Sequence, residues 1–183
     1  MRPEWKAAGG HTGQKGVSSR TYLGGPALAS EVAGQRYALP VEHVIQVVEM
    51  LSITPLPAVP EIVVGVINYR GRVIPVVDMR RRLCQPTRTY TLRTPILVAQ
   101  IDGRATGLIV DAVSGVVGLQ PEQVEIPGQI FTGGTARQVQ PLAGVARLSD
   151  GLILILDLTV FLYPEEGGLE RALSRRRGRK KKD

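Results

Sequence analysis

The feature of this sequence that most constrains its fold is a series of short apolar runs separated by tight-turn residues. Runs rich in Val, Ile and Leu flank Gly34, Arg70-Gly71, Asp102-Gly103 and Ser149-Asp150-Gly151. An Asp-Gly pair between two such runs is a strong hairpin signal, because both residues can adopt the positive φ angles that a two-residue turn requires. Several hairpins of this kind in one chain predict an all-β barrel architecture.

The two halves of the chain repeat this pattern. Ten first-half residues recur identically in the second half. An offset of 69 positions applies to Gly34, Leu39, Val41, Val44, Val47 and Val48, and an offset of 79 applies to Gly65, Val66, Asp78 and Leu83. Alternating β sequences produce some identities by chance, so duplication is a hypothesis here. It predicts two related small barrels.

Charge is distributed unevenly and divides the chain into three parts. Residues 1–25 hold four Lys or Arg against one acid, residues 26–166 hold 11 against 13, and residues 167–183 hold eight against two. The net charge of +7 therefore belongs to the ends of the chain. We predict a flexible N-terminal extension over 1–25, a globular domain over 26–166 and a basic tail over 167–183.

Helical structure is expected only in short connections. The segment VEHVIQVVEM spaces Val44, Val47 and Val48 as one helical face or a short irregular turn. After Tyr163, a proline followed by two glutamates suits the start of a C-terminal helix, although two glycines soon weaken it.

Reactive groups are few, and they predict neither catalysis nor a cofactor. His11 lies in the N-terminal extension, His43 in the first half, and Cys84 is the only cysteine. Hydrolytic or redox chemistry by His43 and Cys84 stays open as a minor alternative. The aspartates at strand ends and turns have structural explanations, so no metal site is predicted. A lone cysteine and the lack of an apolar leader or membrane span predict a cytoplasmic protein.

Recognition is the more promising function. Arg70 lies at a hairpin tip, where a long cationic side chain is displayed to a partner or to solvent, and Tyr69 could add an amphipathic contact. The valines at 44, 47 and 48 and their counterparts at 113, 116 and 117 either form a groove or fill the junction between the barrels. The arginines at 80–82 form a charge run that usually marks a solvated face, with at least one of them exposed.

Four ordered segments resemble one known family, the CheW-like domain. They are YALPVEHVIQVVEM, VPEIVVGVINYRGRVIPVVDMRRRL, RATGLIVDAVSGVVGLQPEQVE and LAGVARLSDGLILILDLTVFL, which together span about residues 27–163. The resemblance implies two five-stranded, SH3-like barrels around a shared core. It also implies a scaffold that binds the cytoplasmic tip of methyl-accepting chemoreceptors and the regulatory domain of the histidine kinase CheA.

The resemblance also implies roles for single residues. Arg70 matches the arginine of the family's Asn-Leu-Arg-Gly turn, and Val44, Val47 and Val113 match apolar positions that line the receptor groove. The predicted protein-binding residues are Val44, Val47, Val48, Tyr69, Arg70, Gly71, Val113 and Val116. Tyr69 departs from the family's usual Leu, and the N-terminal extension and the basic tail are outside the family's pattern.

One function of a different class remains as an alternative. A barrel-fold protein could bind nucleic acid by using its basic tails as phosphate clamps. The aromatic content of 4% and the nearly neutral central part argue against stacking platforms and a basic groove. The tail could also make weak contacts with an anionic membrane surface.

Overall fold

The computed structural model describes residues 22–130 and 141–162. These residues form an all-β fold, as predicted, with only short helical connections. Its strands are β1 Gly25–Val32, β2 Gln35–Pro40, β3 Val44–Glu49, β4 Val63–Tyr69, β5 Arg72–Asp78, β6 Pro95–Ile101, β7 Arg104–Ile109, β8 Ala112–Leu119, β9 Val124–Glu125, β10 Leu142–Leu148 and β11 Gly151–Leu156. The helices are α1 Met79–Arg82, α2 Pro127–Ile130 and α3 Leu158–Leu162, with 3₁₀ turns at Val41–His43 and Pro121–Gln123.

The strands form two sheets, and each sheet contains strands from both halves of the chain. One sheet, here called sheet A, has the order β8-β1-β2-β11-β10-β9, and the other, sheet B, has the order β3-β6-β7-β5-β4. The two halves have thus exchanged their first hairpins: β1 and β2 join β8 to β11 in sheet A, and β6 and β7 join β3 to β5 in sheet B. Two five-stranded barrels were expected, but sheet A has six strands, because the two-residue β9 adds to it. The equivalent contact in sheet B is a single bridge between Thr54 and Val66.

The pairing registers repeat between the halves, as the duplication hypothesis predicts. Val76 pairs in parallel with Gly107, and its counterpart Ile155 pairs in parallel with Ala38. A register shift precedes Gly65 in β4, and another precedes its counterpart in β10. The four predicted hairpins are all present. They close at Val32–Gln35, Tyr69–Arg72, Ile101–Arg104 and Leu148–Gly151.

The predicted helical face at Val44, Val47 and Val48 is wrong, because these residues belong to β3. A 3₁₀ turn follows Pro40 and redirects the chain, after which β3 pairs antiparallel with β6. Valine and isoleucine lose rotamer freedom in a helix but pack well on a pleated sheet. Their tertiary pairing therefore outweighs a spacing that also fits a helix.

Three hydrophobic clusters form the interior. The central cluster lies between the sheets and draws buried residues from both of them, among them Leu39, Leu97 and Leu108, together with Phe161 of α3. A second cluster belongs to sheet A and a third to sheet B. Each fully buried Leu or Phe contributes about 2 to 3 kcal/mol relative to an exposed side chain, so the central cluster holds the two sheets together.

The arginine run was expected to present a solvated face, and this prediction is wrong. All three arginines lie on α1 and are half-buried. Arg80 donates two hydrogen bonds to Asp111, Arg81 donates to the carbonyl of Glu61, and Arg82 donates to the carbonyl of Phe161. The run therefore joins α1 to three other parts of the chain. The predicted N-terminal extension falls almost wholly outside the described residues, and the C-terminal helix and basic tail lie outside them entirely.

Candidate protein-binding surface

Strand β3 places its predicted residues on two different faces. Val44 packs against the central cluster and Val48 against the cluster of sheet B. The alternate residues face outward, with Ile45 exposed by 43% and Val47 by 36%. Strand alternation explains this division. One face of β3 packs into the interior, and the other face exposes two apolar side chains.

Strand β8 repeats this arrangement in the other sheet. Val113, the counterpart of Val44, also packs against the central cluster. Val116, the counterpart of Val47, is 63% exposed. The fold thus brings Val44 and Val113 to one shared cluster from two sheets. It leaves Val47 and Val116 on the outward faces of their strands.

The Arg70 turn is a tight two-residue hairpin turn with a strained backbone. Arg70 has a φ of 51° and Gly71 a φ of 79°, the combination typical of a type I′ turn. A positive φ costs a non-glycine residue about 1 to 2 kcal/mol. The Asn68 side chain accepts a 2.9 Å hydrogen bond from the Gly71 N–H and braces the turn. Arg70 therefore extends from a rigid backbone.

Gln46 is a site residue that the sequence analysis missed. Its Oε1 accepts hydrogen bonds from the Tyr69 hydroxyl at 2.8 Å and from Arg70 Nη2 at 2.6 Å. Gln46 belongs to β3, whereas Tyr69 ends β4, and these two strands are the end strands of sheet B. The Gln46 side chain thus joins the two ends of the sheet. The only signal in the sequence was one amide inside the apolar run VIQVV.

Tyr69 is buried next to the turn and packs against the side chain of Arg70. Tyr69 is 9% exposed and belongs to the cluster of sheet B, and the Arg70 guanidinium carbon lies 5.3 Å from the centroid of its ring. The amphipathic contact expected of Tyr69 with a partner stays a prediction, and the structure shows that most of the side chain is buried. Its aromatic ring is core, and its face stabilises the arginine through a cation–π interaction.

The charge at this turn has no acidic partner among the described residues. The ion pairs found among the described residues involve other arginines and His43, while Arg70 and the exposed Arg72 form none within that part of the chain. The second half lacks the arrangement entirely, since the counterparts of Gln46 and Arg70 are Gly115 and Ser149. The polar cluster at the tip is therefore a specialised feature of one half.

A network of hydrogen bonds and ion pairs centred on Asp111 connects the start of β8 to α1. Asp111, directly before β8, accepts hydrogen bonds from Arg80 at 2.7 and 2.8 Å and from the Ala33 N–H at 2.7 Å, with Arg88 at 3.3 Å. Burial raises the pKa of Asp111, but the bonds from Arg80 and Ala33 and the two arginine charges outweigh burial. The net effect is a lowered pKa.

Asp78, His43 and Cys84, which the sequence offered for catalysis or metal binding, lie in different surroundings. Asp78 is 1% exposed, caps α1 through the Arg80 N–H and accepts a 2.5 Å hydrogen bond from the Tyr90 hydroxyl. His43 Nε2 lies 3.7 Å from Glu42, and Cys84 is exposed. Within residues 22–130 and 141–162, no group of three His, Cys, Asp or Glu side chains could hold a metal ion. In the same part of the chain, no helix has the length and apolar character needed to cross a bilayer.

The two-sheet fold places this chain in the all-β class, and its exposed apolar side chains on β3 and β8 are typical of a surface that binds another protein. Residues 26–165 match the family model of the CheW-like domain. The chain is 35% identical over 142 residues to the chemotaxis protein CheW of Rhizobium meliloti, covering 76% of this chain and 88% of that protein. It is 30% identical over 131 residues to the chemotaxis protein CheW of Thermotoga maritima, covering 72% and 83%.

A solved structure agrees with these relatives. The crystal structure of the scaffolding protein TtCheW from Thermoanaerobacter tengcongensis superposes with a TM-score of 0.68 at 30% identity, covering 77% of this chain and 94% of that one. The chain belongs to the CheW-like domain family, and its role is that of a chemotaxis scaffold. These matches give no support to the nucleic-acid-binding alternative.

Proposed function

We propose that this chain couples chemoreceptors to the histidine kinase CheA by binding both proteins, without catalysing a reaction. The family membership and the scaffold role support this assignment. In this proposal the protein works in the cytoplasm and reaches the membrane only through its receptors. The domain that carries the function spans residues 26–166.

The receptor tip docks where β3 and β8 approach the central cluster. The observation that carries this assignment is the position of Val44 and Val113, which contact one cluster from two different sheets. The outward faces of the same two strands expose further apolar side chains, at Val47 and Val116. An amphipathic helix binds by laying its apolar face into such a surface. Val48 packs against the hydrophobic cluster of sheet B and so stabilises β3 at this surface.

Coupling to the kinase is allosteric. A receptor in a different signalling state changes how its tip lies against the two strands, and the scaffold passes this bias to the regulatory domain of CheA. The Arg70 turn, with Tyr69 and Gly71, lies beside β3, because Gln46 of β3 accepts hydrogen bonds from Tyr69 and Arg70. Each contact is modest, and the many contacts of a receptor array supply the stability.

The experiment that tests the proposal is co-sedimentation of the full chain with cognate receptor signalling-domain fragments and CheA. The informative variants are Val116→Lys, which places a charge on the exposed face of β8, and Arg70→Ala. The matched controls are Leu92→Lys and Arg93→Ala, since Leu92 is 82% exposed and Arg93 is also exposed, both on the connection before β6.

We expect both informative variants to recruit less kinase while their far-ultraviolet circular dichroism stays unchanged, and both controls to behave as the wild type. A wild-type chain that recruits no kinase with cognate partners would contradict the proposed function. Loss of recruitment in the controls as well would show that the two surfaces are not specific.

The basic tail adds a weak contact with an anionic surface in this proposal. Residues 167–183 hold eight basic residues, and each basic group near an anionic membrane contributes about 1 kcal/mol. Sedimentation with phosphatidylserine-containing vesicles tests it. The full chain should bind in low salt and a chain ending at residue 166 should not, and equal binding of both would refute the tail contact.

A further inference from the structure

The outer edge of β8 lacks the protection that natural sheets usually give to an end strand. Within the described residues, β8 lies at the end of sheet A and pairs with β1 alone. Its sequence, AVSGVVGL, holds no charged residue and no proline, the two features that commonly block an exposed edge. Val116 on this strand is 63% exposed. Such an edge offers backbone hydrogen-bonding groups to another extended chain.

There is also room beside this strand. A Cβ atom added at Gly115 or at Gly118 would meet nothing within 4 Å. In sheet B the equivalent end strand, β3, is connected to β4 by the hydrogen bond between Gln46 and Tyr69, but the counterpart of Gln46 in β8 is Gly115. Glycine inside a strand often marks a place where another backbone approaches closely. The space at β8 therefore fits a second peptide backbone.

The described chain enters the domain at the end of this same strand. A Cβ atom at Gly24 would lie 2.8 Å from the carbonyl oxygen of Leu119 and 2.9 Å from the nitrogen of Pro121, so the entering chain runs directly against that backbone. Gly24 and Gly25 have φ angles of 104° and 126°, which glycine alone adopts readily. The chain therefore bends here, and residues 1–21, here called the leading segment, reach the domain beside β8.

Two carboxylates flank this entry point and are opposite in charge to the leading segment. Glu122 belongs to the 3₁₀ turn after β8, is exposed, and forms no ion pair within the described part of the chain. Burial, and then the charge of Glu42, raise the pKa of Tyr22, so Glu42 also lies near the entry point. Its side chain is 64% exposed. The leading segment holds four basic residues against one acid, and Arg20 and Lys15 are the basic residues nearest to the entry point in sequence.

We propose that the leading segment covers the outer edge of β8 as an added strand, and that it competes there with the receptor tip. β8 has eight residues, and residues 14–21 supply an extended chain of the same length directly before the entry point. The tether keeps the segment close to β8, so modest backbone and charge contacts suffice. A receptor tip must then displace the segment, which lowers its apparent affinity. The competition rests on the proposed function, whereas the covering of β8 does not.

Hydrogen exchange of the full chain, followed by NMR without any partner, tests the covering. The charge-reversal variant, Lys15→Glu with Arg20→Glu, places two negative charges near the two carboxylates and should release the segment. The matched control, Lys180→Glu with Lys181→Glu, makes the same change of net charge in the basic tail. Both variants leave the residues of the two sheets unchanged, so the fold is not at risk.

A rescue variant tests whether charge at the entry point is the cause. It combines the charge-reversal variant with Glu42→Arg and Glu122→Arg, so that the charges of the segment and of its surroundings are exchanged. Opposite charges again face each other, and the exchange rates at β8 should return to those of the wild type.

The exchange rates and the receptor affinity should change by the same factor, because both report the fraction of molecules in which the segment is docked. We expect the β8 amides that do not bond to β1 to exchange about threefold faster in the charge-reversal variant, as for a segment docked two thirds of the time. This variant should also bind a cognate receptor signalling-domain fragment about threefold more tightly. The tail control should match the wild type in both measurements.

The outcomes separate this inference from the proposed function. Equal exchange at β8 in the wild type, the charge-reversal variant and the tail control would refute the covering. Faster exchange with unchanged receptor affinity would refute the competition. If the wild type and the charge-reversal variant both fail to bind the receptor fragment, the proposed function is wrong, and the exchange rates still decide whether the segment covers β8.

Discussion

Arg82 donates from Nε to the carbonyl oxygen of Phe161 at 2.6 Å, although these residues are 79 positions apart. That separation equals the repeat offset of this part of the chain, so the two residues are counterparts in the two halves. The guanidinium carbon of Arg82 also lies 5.4 Å from the Phe161 ring centroid. The contact therefore joins α1 of one half to α3 of the other.

Replacing Arg82 by Met should destabilise the fold by about 2 kcal/mol, because the change removes charged hydrogen bonds to carbonyls at the end of α3 and a cation–π contact. Urea unfolding followed by circular dichroism measures this loss. Arg93→Met is the control, since Arg93 is exposed and should change stability by less than about 0.5 kcal/mol. Equal losses in the two variants would refute a specific role for Arg82.

Asp111→Asn should destabilise the protein by about 3 kcal/mol, because it leaves the partly buried guanidinium of Arg80 without its charged partner. The side chains of Arg80 and Asp111 are 18% and 11% exposed. In a double-mutant cycle with Arg80→Met, the two losses should not add, and the coupling energy should exceed about 1 kcal/mol. Strictly additive losses would mean that the pair contributes nothing as a pair.

The stability that Asp111 contributes should depend on pH in acid. The pKa of Asp111 is lowered in the folded protein, so the unfolded chain binds a proton at a higher pH than the folded chain does. The contribution is then fully present above the ordinary carboxyl pKa of about 3.9 and is lost as the pH falls through the lower folded value. Urea unfolding of the wild type and Asp111→Asn from pH 7 to pH 3 should show a difference that shrinks below about pH 4. A difference that stays constant over this range would contradict the prediction.

Gly65→Ala should destabilise the fold by about 3 kcal/mol, because both backbone strain and a steric clash oppose a side chain there. Gly65 has a φ of 148°, and a Cβ at this position would lie closer than any normal contact to the carbonyl oxygen of Thr54. Gly34→Ala is the matched control, since its φ is 77° but nothing lies within 4 Å of its Cβ position. It should lose only about 1 kcal/mol, from strain alone. Thermal unfolding of both variants compares the two effects, and a similar loss in both would exclude the clash.

The hairpins and the repeat could be predicted because their signals are local. A pair such as Asp102-Gly103 determines a two-residue turn through its own backbone preferences, and the apolar alternation beside it determines the strands. The predicted turn at Arg70-Gly71 is present for the same reason. These features needed no knowledge of distant contacts.

The surroundings of the candidate binding residues were predicted in part. Val44 and Val113 were assigned to a junction or a groove, and the structure places both against the central cluster. Gln46 was missed and the burial of Tyr69 was not foreseen, because the contact between them spans the two end strands of sheet B. No local pattern indicates which strands meet in that way. The assignment of these surfaces to particular partners stays a prediction.

The arginine run at 80–82 shows most clearly the difference between what local sequence predicts and what distant contacts decide. Three consecutive arginines are typical of a solvated surface, since a charged group is expensive to bury without a partner. Their partners are Asp111, Glu61 and Phe161, which lie 20 to 79 positions away. Only the folded chain brings these acceptors to α1.

The sequence by itself determined the all-β class, the four hairpins and the twofold repeat, because turn preferences and side-chain alternation act between neighbouring residues. The tertiary structure decided how the hairpins β1–β2 and β6–β7 exchange between the halves, which polar groups support the Arg70 turn, and which charges are buried. These features depend on contacts between residues far apart in the chain, where the energy of pairing and burial outweighs local preference.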